Sequence, residues 1–145
     1  MIKLRAHHLV CLSRANCSGG WYNIKLKRRV LKILHKIKGN PNLKIKLIKK
    51  CDDICIKCPY QNKRICEKRP KINYWIVVMD NKFLKKFKLK ENSIHKAKDI
   101  FNLVLKRINN KDLKQICKGC KFLRYCLKLG LNMPFVKLIM KNDPS

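Results

Sequence analysis

Two cysteine groups with the same internal order constrain this chain most. Each group is a CxxC pair followed by a third cysteine, and the members are Cys55, Cys58 and Cys66, then Cys117, Cys120 and Cys126. Two residues between cysteines allow both thiolates to turn toward one metal centre. The repeated arrangement predicts metal ligation by both groups. The alternative is a set of structural thiols or a redox dithiol, which a single CxxC pair would suggest as readily.

The spacing narrows the kind of metal site. Residues 67–116, 50 in number, separate the two groups, whereas zinc ribbons place their pairs about 15–20 residues apart. Three cysteines per group leave each site one ligand short of four. Two Cys3His zinc sites, one four-cysteine site, or one or two iron–sulfur clusters remain compatible with this count. The dipeptide Cys58-Pro59 is typical of ferredoxin-type ligation, which favours iron–sulfur, most simply [4Fe–4S], with zinc as the alternative.

Residues near the N-terminus could supply the missing ligands. If the segment is helical, Cys11 lies on one face with His7 at i, i+4 and with His8 at i, i+3. This predicts Cys11 as a ligand, with His7 or His8 as a ligand or as a hydrogen-bonding neighbour of one. The other interpretation is a buried thiol beside hydrogen-bonded imidazoles.

Two further cysteines, Cys17 and Cys51, are interpreted as ordinary thiols. Cys51 forms a CxxxCxxC pattern with Cys55 and Cys58, as in radical S-adenosylmethionine enzymes, but this chain is too short for the barrel of those enzymes. The adjacent carboxylates Asp52 and Asp53 are predicted to accept hydrogen bonds from the amides of the ligand loop.

The second unusual feature of the chain is its large positive charge. Lys and Arg number 37 and Asp and Glu number 8, so the net charge is 37 − 8 = +29. Most ammonium groups therefore lack a carboxylate nearby, and the surface attracts polyanions. Two interpretations stay open, a solvated Lys-rich surface with nonspecific affinity and a true nucleic-acid interface.

The length of 145 residues predicts one cysteine-rich metal-binding domain over 1–145. The apolar stretch near the N-terminus, residues 9–12, is too short for a signal-peptide core, and no apolar run approaches the length of a membrane span. We therefore expect a cytoplasmic protein without a membrane partner. In that compartment thiols stay reduced, which disfavours disulfides for the nine cysteines.

Hydrophobic periodicity predicts an α+β fold, mostly helical with a few short strands. The apolar stripe over 24–37 repeats with helical spacing, and residues 2–5 and 43–49 are expected to be strands. The apolar run 74–79 is expected to be a short strand or a buried segment, followed by a helix that Asp80 caps. A longer helix is expected over 94–108, capped by Asn92 or Ser93.

The combined motifs resemble a known family. The residues that carry the resemblance are Leu4-Arg5-Ala6-His7-His8-Leu9-Val10-Cys11, Gly20-Trp21-Tyr22, Asp52-Asp53-Ile54-Cys55-Ile56-Lys57-Cys58-Pro59 with Cys66, Asp80, and Ile116-Cys117-Lys118-Gly119-Cys120 with Cys126. In this order they resemble the domain-of-unknown-function family numbered twelve eighty-four, small archaeal and bacterial proteins suspected of binding iron–sulfur clusters. The resemblance implies candidate ligands and no established activity. Those candidates are Cys11, Cys55, Cys58, Cys66, Cys117, Cys120 and Cys126, with a role for His7 and His8.

The function that these features favour is an iron–sulfur protein in electron transfer or redox sensing. Its basic surface suits an acidic redox partner. The alternative is a zinc-stabilised nucleic-acid-binding module. Whether the chain is an enzyme stays undecided, because no nucleophile–base pair or phosphate loop names a reaction.

Overall fold

The computed structural model describes residues 1–14, 24–58, 61–63, 65–66, 71–120, 123–129 and 137. Within these residues the helices are α1 (Ala6–Arg14), α2 (Ile24–Gly39), α3 (Ile72–Phe87), α4 (Ala97–Arg107), α5 (Asn110–Ile116) and α6 (Leu123–Leu129). The strands are β1 (Ile2–Leu4), β2 (Lys44–Leu47), β3 (Gln61–Asn62), β4 (Ile65–Cys66) and β5 (Ile94–Lys96), and a 3-10 turn spans Cys55–Lys57. This small, mostly helical α+β domain is the predicted fold class.

A three-stranded sheet forms one layer of the molecule. Its order is β1-β2-β5, with β1 parallel and β5 antiparallel to the central strand. The side chains that face the helices are buried, namely Ile2, Leu4, Ile45 and Leu47. Between β1 and β2 the chain order is β1, α1, α2, β2, and a helical connection of this kind is what two parallel strands need. The two strands expected near residues 2–5 and 43–49 are confirmed.

The helices supply the rest of the core. On α2 the buried residues are Leu26, Val30, Ile33, Leu34 and Ile37, so the helix predicted from its stripe is confirmed. Phe83 and Phe87 of α3 stack at 5.8 Å between ring centroids, and Phe101 of α4 is fully buried with them.

The prediction for residues 74–79 is wrong, because this run lies inside α3. The β-branched residues 76–78 favour a strand locally, but that preference is weak. Helical spacing instead places Ile72, Met79, Phe83 and Phe87 on one buried stripe, and burial of that stripe outweighs local propensity. Asp80 consequently does not cap a helix. It lies in the middle of α3 with 0% of its surface exposed.

The start of the helix predicted over 94–108 is also wrong. Residues Ile94–Lys96 form β5, because their backbone pairs with β2 in the register Ile45↔His95. The helix begins at Ala97, whose amide donates to the carbonyl of Leu43 at 2.8 Å. None of the described helices is both long enough and apolar enough to cross a membrane.

Candidate metal centre

Cys11 from α1 lies beside the second cysteine group. Burial raises the pKa of its thiol well above the ordinary 9.0, and the nearby thiols of Cys126, Cys120 and Cys117 raise it further. Burial, together with the other members of the group, raises the pKa of Cys117 to about 12. Four thiols from α1, the α5–α6 connection and α6 therefore share one partly buried region.

A tight turn presents the CxxC pair of this group. The amide of Cys120 donates to the carbonyl of Cys117 at 2.8 Å, and the amide of Leu123 donates to the carbonyl of Cys120 at 3.2 Å. Gly119 has φ = +87°, a conformation that a residue with a side chain adopts only with strain. A Cβ atom there would lie 3.9 Å from Cζ2 of Trp75, so the indole ring packs against the turn.

A buried arginine adjoins the same thiols. Arg14 ends α1, is 8% exposed, and its Nη1 donates to Oδ1 of Asn110 at 2.6 Å. Within the described residues its Nε has no hydrogen-bond partner. Burial and the thiol of Cys120 raise the pKa of Cys126 to about 11, whereas the charge of Arg14 opposes that rise. The arginine thus lies where it would stabilise a thiolate.

The spread of the four sulfurs bears on the kind of metal. Four thiolates on a single zinc ion, with Zn–S of about 2.3 Å, lie about 3.8 Å from one another. Among the described residues, no three of the four thiols lie within 4.8 Å of one another. Four cysteines beside a buried cation could hold an iron–sulfur cluster, in which each thiolate binds a different iron atom, whereas a single zinc ion would require the thiols to move closer together.

Two buried carboxylates hold the N-terminus of α1. The first turn of this helix contains no acidic residue, so its unpaired amides need acceptors from elsewhere. The amide of Arg5 donates to Oδ2 of Asp52 at 2.6 Å, and the amide of His7 donates to Oδ1 of Asp80 at 3.0 Å. Residues remote in sequence therefore perform the capping that the local sequence lacks.

The same carboxylates orient the two histidines. Nδ1 of His7 lies 2.7 Å from Oδ1 of Asp80, and Nδ1 of His8 lies 2.6 Å from Oδ2 of Asp52. The ring centroids are 4.1 Å apart. Burial and then the charge of His8 lower the pKa of His7, although Asp80 opposes this. Both rings are hydrogen-bonded imidazoles, and metal ligation by either stays a prediction.

Asp80 also pairs with a buried arginine. Its Oδ2 accepts from Nε of Arg5 at 2.6 Å, and the two side chains are 0% and 1% exposed. Burial alone would raise the pKa of Asp80, but the charge and hydrogen bond of His7, together with those of Arg5, outweigh burial and lower the pKa to about 2.

Acid is expected to destabilise the fold through Asp80. In the unfolded chain the carboxylate binds a proton near its ordinary pKa of 3.8, but in the folded chain it does so only near pH 2. Its contribution is therefore fully present above about pH 4 and is lost as the pH falls through about 2. Urea unfolding between pH 5 and 2 should show this loss, and Asp80→Asn should reduce the slope. A slope equal to that of the wild type would contradict this assignment.

A loop beside β1 carries the first cysteines. Oδ1 of Asp52 accepts from the amides of Ile54 at 3.0 Å and Cys55 at 3.4 Å, as predicted for this carboxylate. The amide of Lys3 donates to Oδ2 of Asp53 at 2.8 Å, and the Asp53 amide donates to the Lys3 carbonyl at 3.1 Å. The loop is thereby fixed to the open edge of β1.

Cys51, which the sequence suggested to be an ordinary thiol, contacts Cys55. The thiol hydrogen bond between them lowers the pKa of Cys51 to about 7 and raises that of Cys55. The Cys55 Sγ also lies 3.4 Å from Oδ1 of Asp52. A ring nitrogen of His8, a carboxylate oxygen of Asp52 and Sγ of Cys55 all lie within 4.8 Å of one another. The interpretation of Cys51 as an ordinary thiol stays a prediction.

The other members of the first group follow this loop. The amide of Cys58 donates to the carbonyl of Cys55 at 2.9 Å, the same backbone hydrogen bond as between Cys120 and Cys117, although Gly119 gives the second turn a positive φ that the 3-10 turn of the first pair lacks. Cys66 lies in the β3–β4 hairpin, paired with Gln61, and its amide donates to Asn73 at 3.4 Å. Ligation by Cys58 and Cys66 stays a prediction. Cys17 lies outside the described residues.

Comparison with known proteins places the chain in a family. The family model described as "Protein of unknown function (DUF1284)" matches residues 22–126. This range contains both cysteine groups, whereas the double histidine and Cys11 precede it. No curated protein and no solved structure matches. Because the family model covers well over half of its length, the chain belongs to the DUF1284 family.

Proposed function

We propose that this protein binds an iron–sulfur cluster of the [4Fe–4S] type through Cys11, Cys117, Cys120 and Cys126, and that it acts in electron transfer or redox sensing. The supporting observation is the position of Cys11, which adds a fourth thiol to a group of three. Four cysteines are the usual ligand set of such a cluster. When bound, the cluster supplies a one-electron redox couple.

The residues around the thiols suit such a role. Arg14 places a buried positive charge beside Cys126, and positive charge near a cluster favours the reduced state. The net charge of +29 would guide an acidic redox partner to the surface. A reducing cytoplasm would keep the thiols available.

Zinc remains the alternative metal, with nucleic-acid binding as the associated function. Zinc would add folding energy directly, and the lysines would bind phosphates. A single zinc ion would require the four thiols to come closer together than they lie in the structure.

Metal and sulfide analysis of protein purified without oxygen tests the proposal. We expect a coloured protein with about four iron atoms and four sulfide ions per chain, since that is the composition of one [4Fe–4S] cluster. Colourless protein without iron or sulfide would overturn it. Stoichiometric zinc without sulfide, together with RNA or DNA binding that weakens steeply with salt, would instead support the alternative.

A further inference from the structure

A row of four cations lies along the outer face of α2. This cation row consists of Lys25, Arg28, Lys32 and Lys36, at i, i+3, i+7 and i+11, and all four residues are exposed. Residues with this spacing share one side of a helix. The opposite side of α2 supplies the apolar stripe that is buried in the core. The cation row therefore faces solvent along most of the helix.

No carboxylate of the neighbouring sequence balances this row. Residues 1–51 contain neither Asp nor Glu. Among the described residues, the ion pairs of lysines lie away from α2, between Lys49 and Glu91 and between Lys86 and Asp112. Like charges at i, i+4 in the cation row repel each other, and such pairs destabilise a helix. A bound polyanion would relieve this repulsion.

A recess of about 490 Å³ adjoins the cation row. The described residues that line it are Arg28, Leu31, Lys32, Leu34, His35 and Lys38. Phosphate oxygens at this recess would lie beside three cationic side chains and one imidazole. Lysine and arginine are prominent among the side chains that bind phosphates in complexes with DNA.

The composition of this face suits a nucleic acid better than a protein partner. Interfaces between proteins are depleted in lysine and enriched in aromatic residues, whereas interfaces with DNA are strongly positive. The helix α2 contains no Phe, Tyr or Trp, and its exposed large apolar side chains are those of Ile24 and Leu31. The face therefore has the chemistry of a phosphate-binding surface.

The geometry of α2 favours duplex DNA among the nucleic acids. The helix has 16 residues, which corresponds to a length of about 24 Å. The major groove of B-DNA is wide enough to admit an α-helix, whereas the major groove of duplex RNA is deep and too narrow for side chains to read. The cation row contains no Asn or Gln to bind adenine, so contacts with phosphates should dominate.

We propose that α2 binds in the major groove of duplex DNA, with the cation row on the backbone phosphates and with little dependence on base sequence. This surface goes beyond the proposed redox role and does not depend on it, because a protein that holds either a cluster or zinc can bind DNA in this way. Analysis of the metal, rather than DNA binding, then distinguishes those two functions.

Fluorescence anisotropy of a labelled DNA duplex, titrated with the full chain at several salt concentrations, tests this surface. The triple variant Arg28→Gln, Lys32→Gln and Lys36→Gln should bind more than about tenfold more weakly than the wild type at about 50 mM salt. The slope of the logarithm of the binding constant against that of the salt concentration should become shallower by about 3, because each lost phosphate contact contributes about 0.9.

The control removes three exposed charges from α3 and the loop that follows it, with Lys82→Gln, Lys85→Gln and Lys90→Gln. It should weaken binding by less than about threefold, because salt screens charges that do not contact the duplex. An equal loss of affinity in this control and in the α2 variant would overturn the proposal, since net charge alone would then account for binding. Wild-type protein that does not bind the DNA duplex would overturn it too.

Two further measurements address folding and the kind of nucleic acid. Glutamine keeps the helix propensity and removes the repulsion between like charges, so the melting temperature of the α2 variant should be no lower than that of the wild type. If it is lower, Lys32→Gln alone should still make the salt slope shallower by about 1, and an unchanged slope would contradict the proposal. A duplex RNA of the same sequence should bind more weakly than the DNA, and equal or tighter binding of the RNA would overturn the assignment to the major groove of DNA.

Discussion

Cys11→Ala is expected to remove the iron and sulfide from the anaerobically purified protein. Cys11 is the only proposed ligand of this cluster on α1, and its thiol lies near those of Cys117, Cys120 and Cys126. Loss of a hydrogen-bond partner of a ligand already costs about 10- to 100-fold in metal affinity, so loss of the ligand itself should cost more than about tenfold. Iron and sulfide assays with the visible absorption spectrum measure the effect.

Cys51→Ala is the control for this experiment. Like Cys11→Ala, it removes one thiol that is shielded from solvent, since Cys11 is half-buried and Cys51 is buried. The thiol of Cys51, however, contacts Cys55 rather than the four-cysteine group. We expect Cys51→Ala to retain the iron and sulfide of the wild type. If Cys11→Ala also retained the iron and sulfide, Cys11 would not be a ligand, and the proposed four-cysteine site would be wrong.

Asp80→Asn is expected to lower the free energy of unfolding by about 3–5 kcal/mol, the usual cost of breaking a buried ion pair by removing one partner. Asp80 pairs with Nε of Arg5 at 2.6 Å, and both side chains are almost fully buried. Asparagine has nearly the same shape but no charge, so the guanidinium of Arg5 would remain buried without its counter-charge. The bonds from His7 to Asp80 would weaken too.

Urea unfolding at neutral pH measures this effect, provided that the metal content of the two proteins is matched. Asp99→Asn is the control, since Asp99 is exposed in the first turn of α4. There the change removes only a favourable interaction with the helix dipole, worth about 0.3–1 kcal/mol. An equal loss in the two variants would show that the buried pair contributes little to stability.

Hydrophobic periodicity predicted the parts of the fold in which local pattern and burial agree. The stripe of α2 and the strands β1 and β2 are examples. The pattern failed at residues 74–79, where a β-branched run lies inside a helix, and at Ile94–Lys96, where backbone pairing with β2 forms a strand. In both places a partner remote in sequence decided the conformation, and single-chain periodicity carries no information about that partner.

The candidate metal site, like the fold, could be predicted only where its signal is local in the sequence. The spacing of the cysteines alone identified the CxxC pairs, and in the structure the same backbone hydrogen bond closes both turns, from the amide of Cys58 to the carbonyl of Cys55 and from the amide of Cys120 to the carbonyl of Cys117. Asp80 was expected to be a helix cap, but it lies mid-helix and accepts from His7 and Arg5. Its position 73 residues beyond His7 left no local signal for this contact.

The sequence by itself determined which thiols and imidazoles lie at the short spacings that the predicted metal sites need, because covalent order sets those spacings. Only the tertiary structure decided which of these side chains lie close to one another. It brings Cys11 to the second cysteine group and Cys51 with His8 to the first. The physical reason is that α1 is buried between the loop after β2 and α3, where Asp52 and Asp80 satisfy its N-terminal amides. Side chains on successive turns of one helix therefore meet two different groups of cysteines.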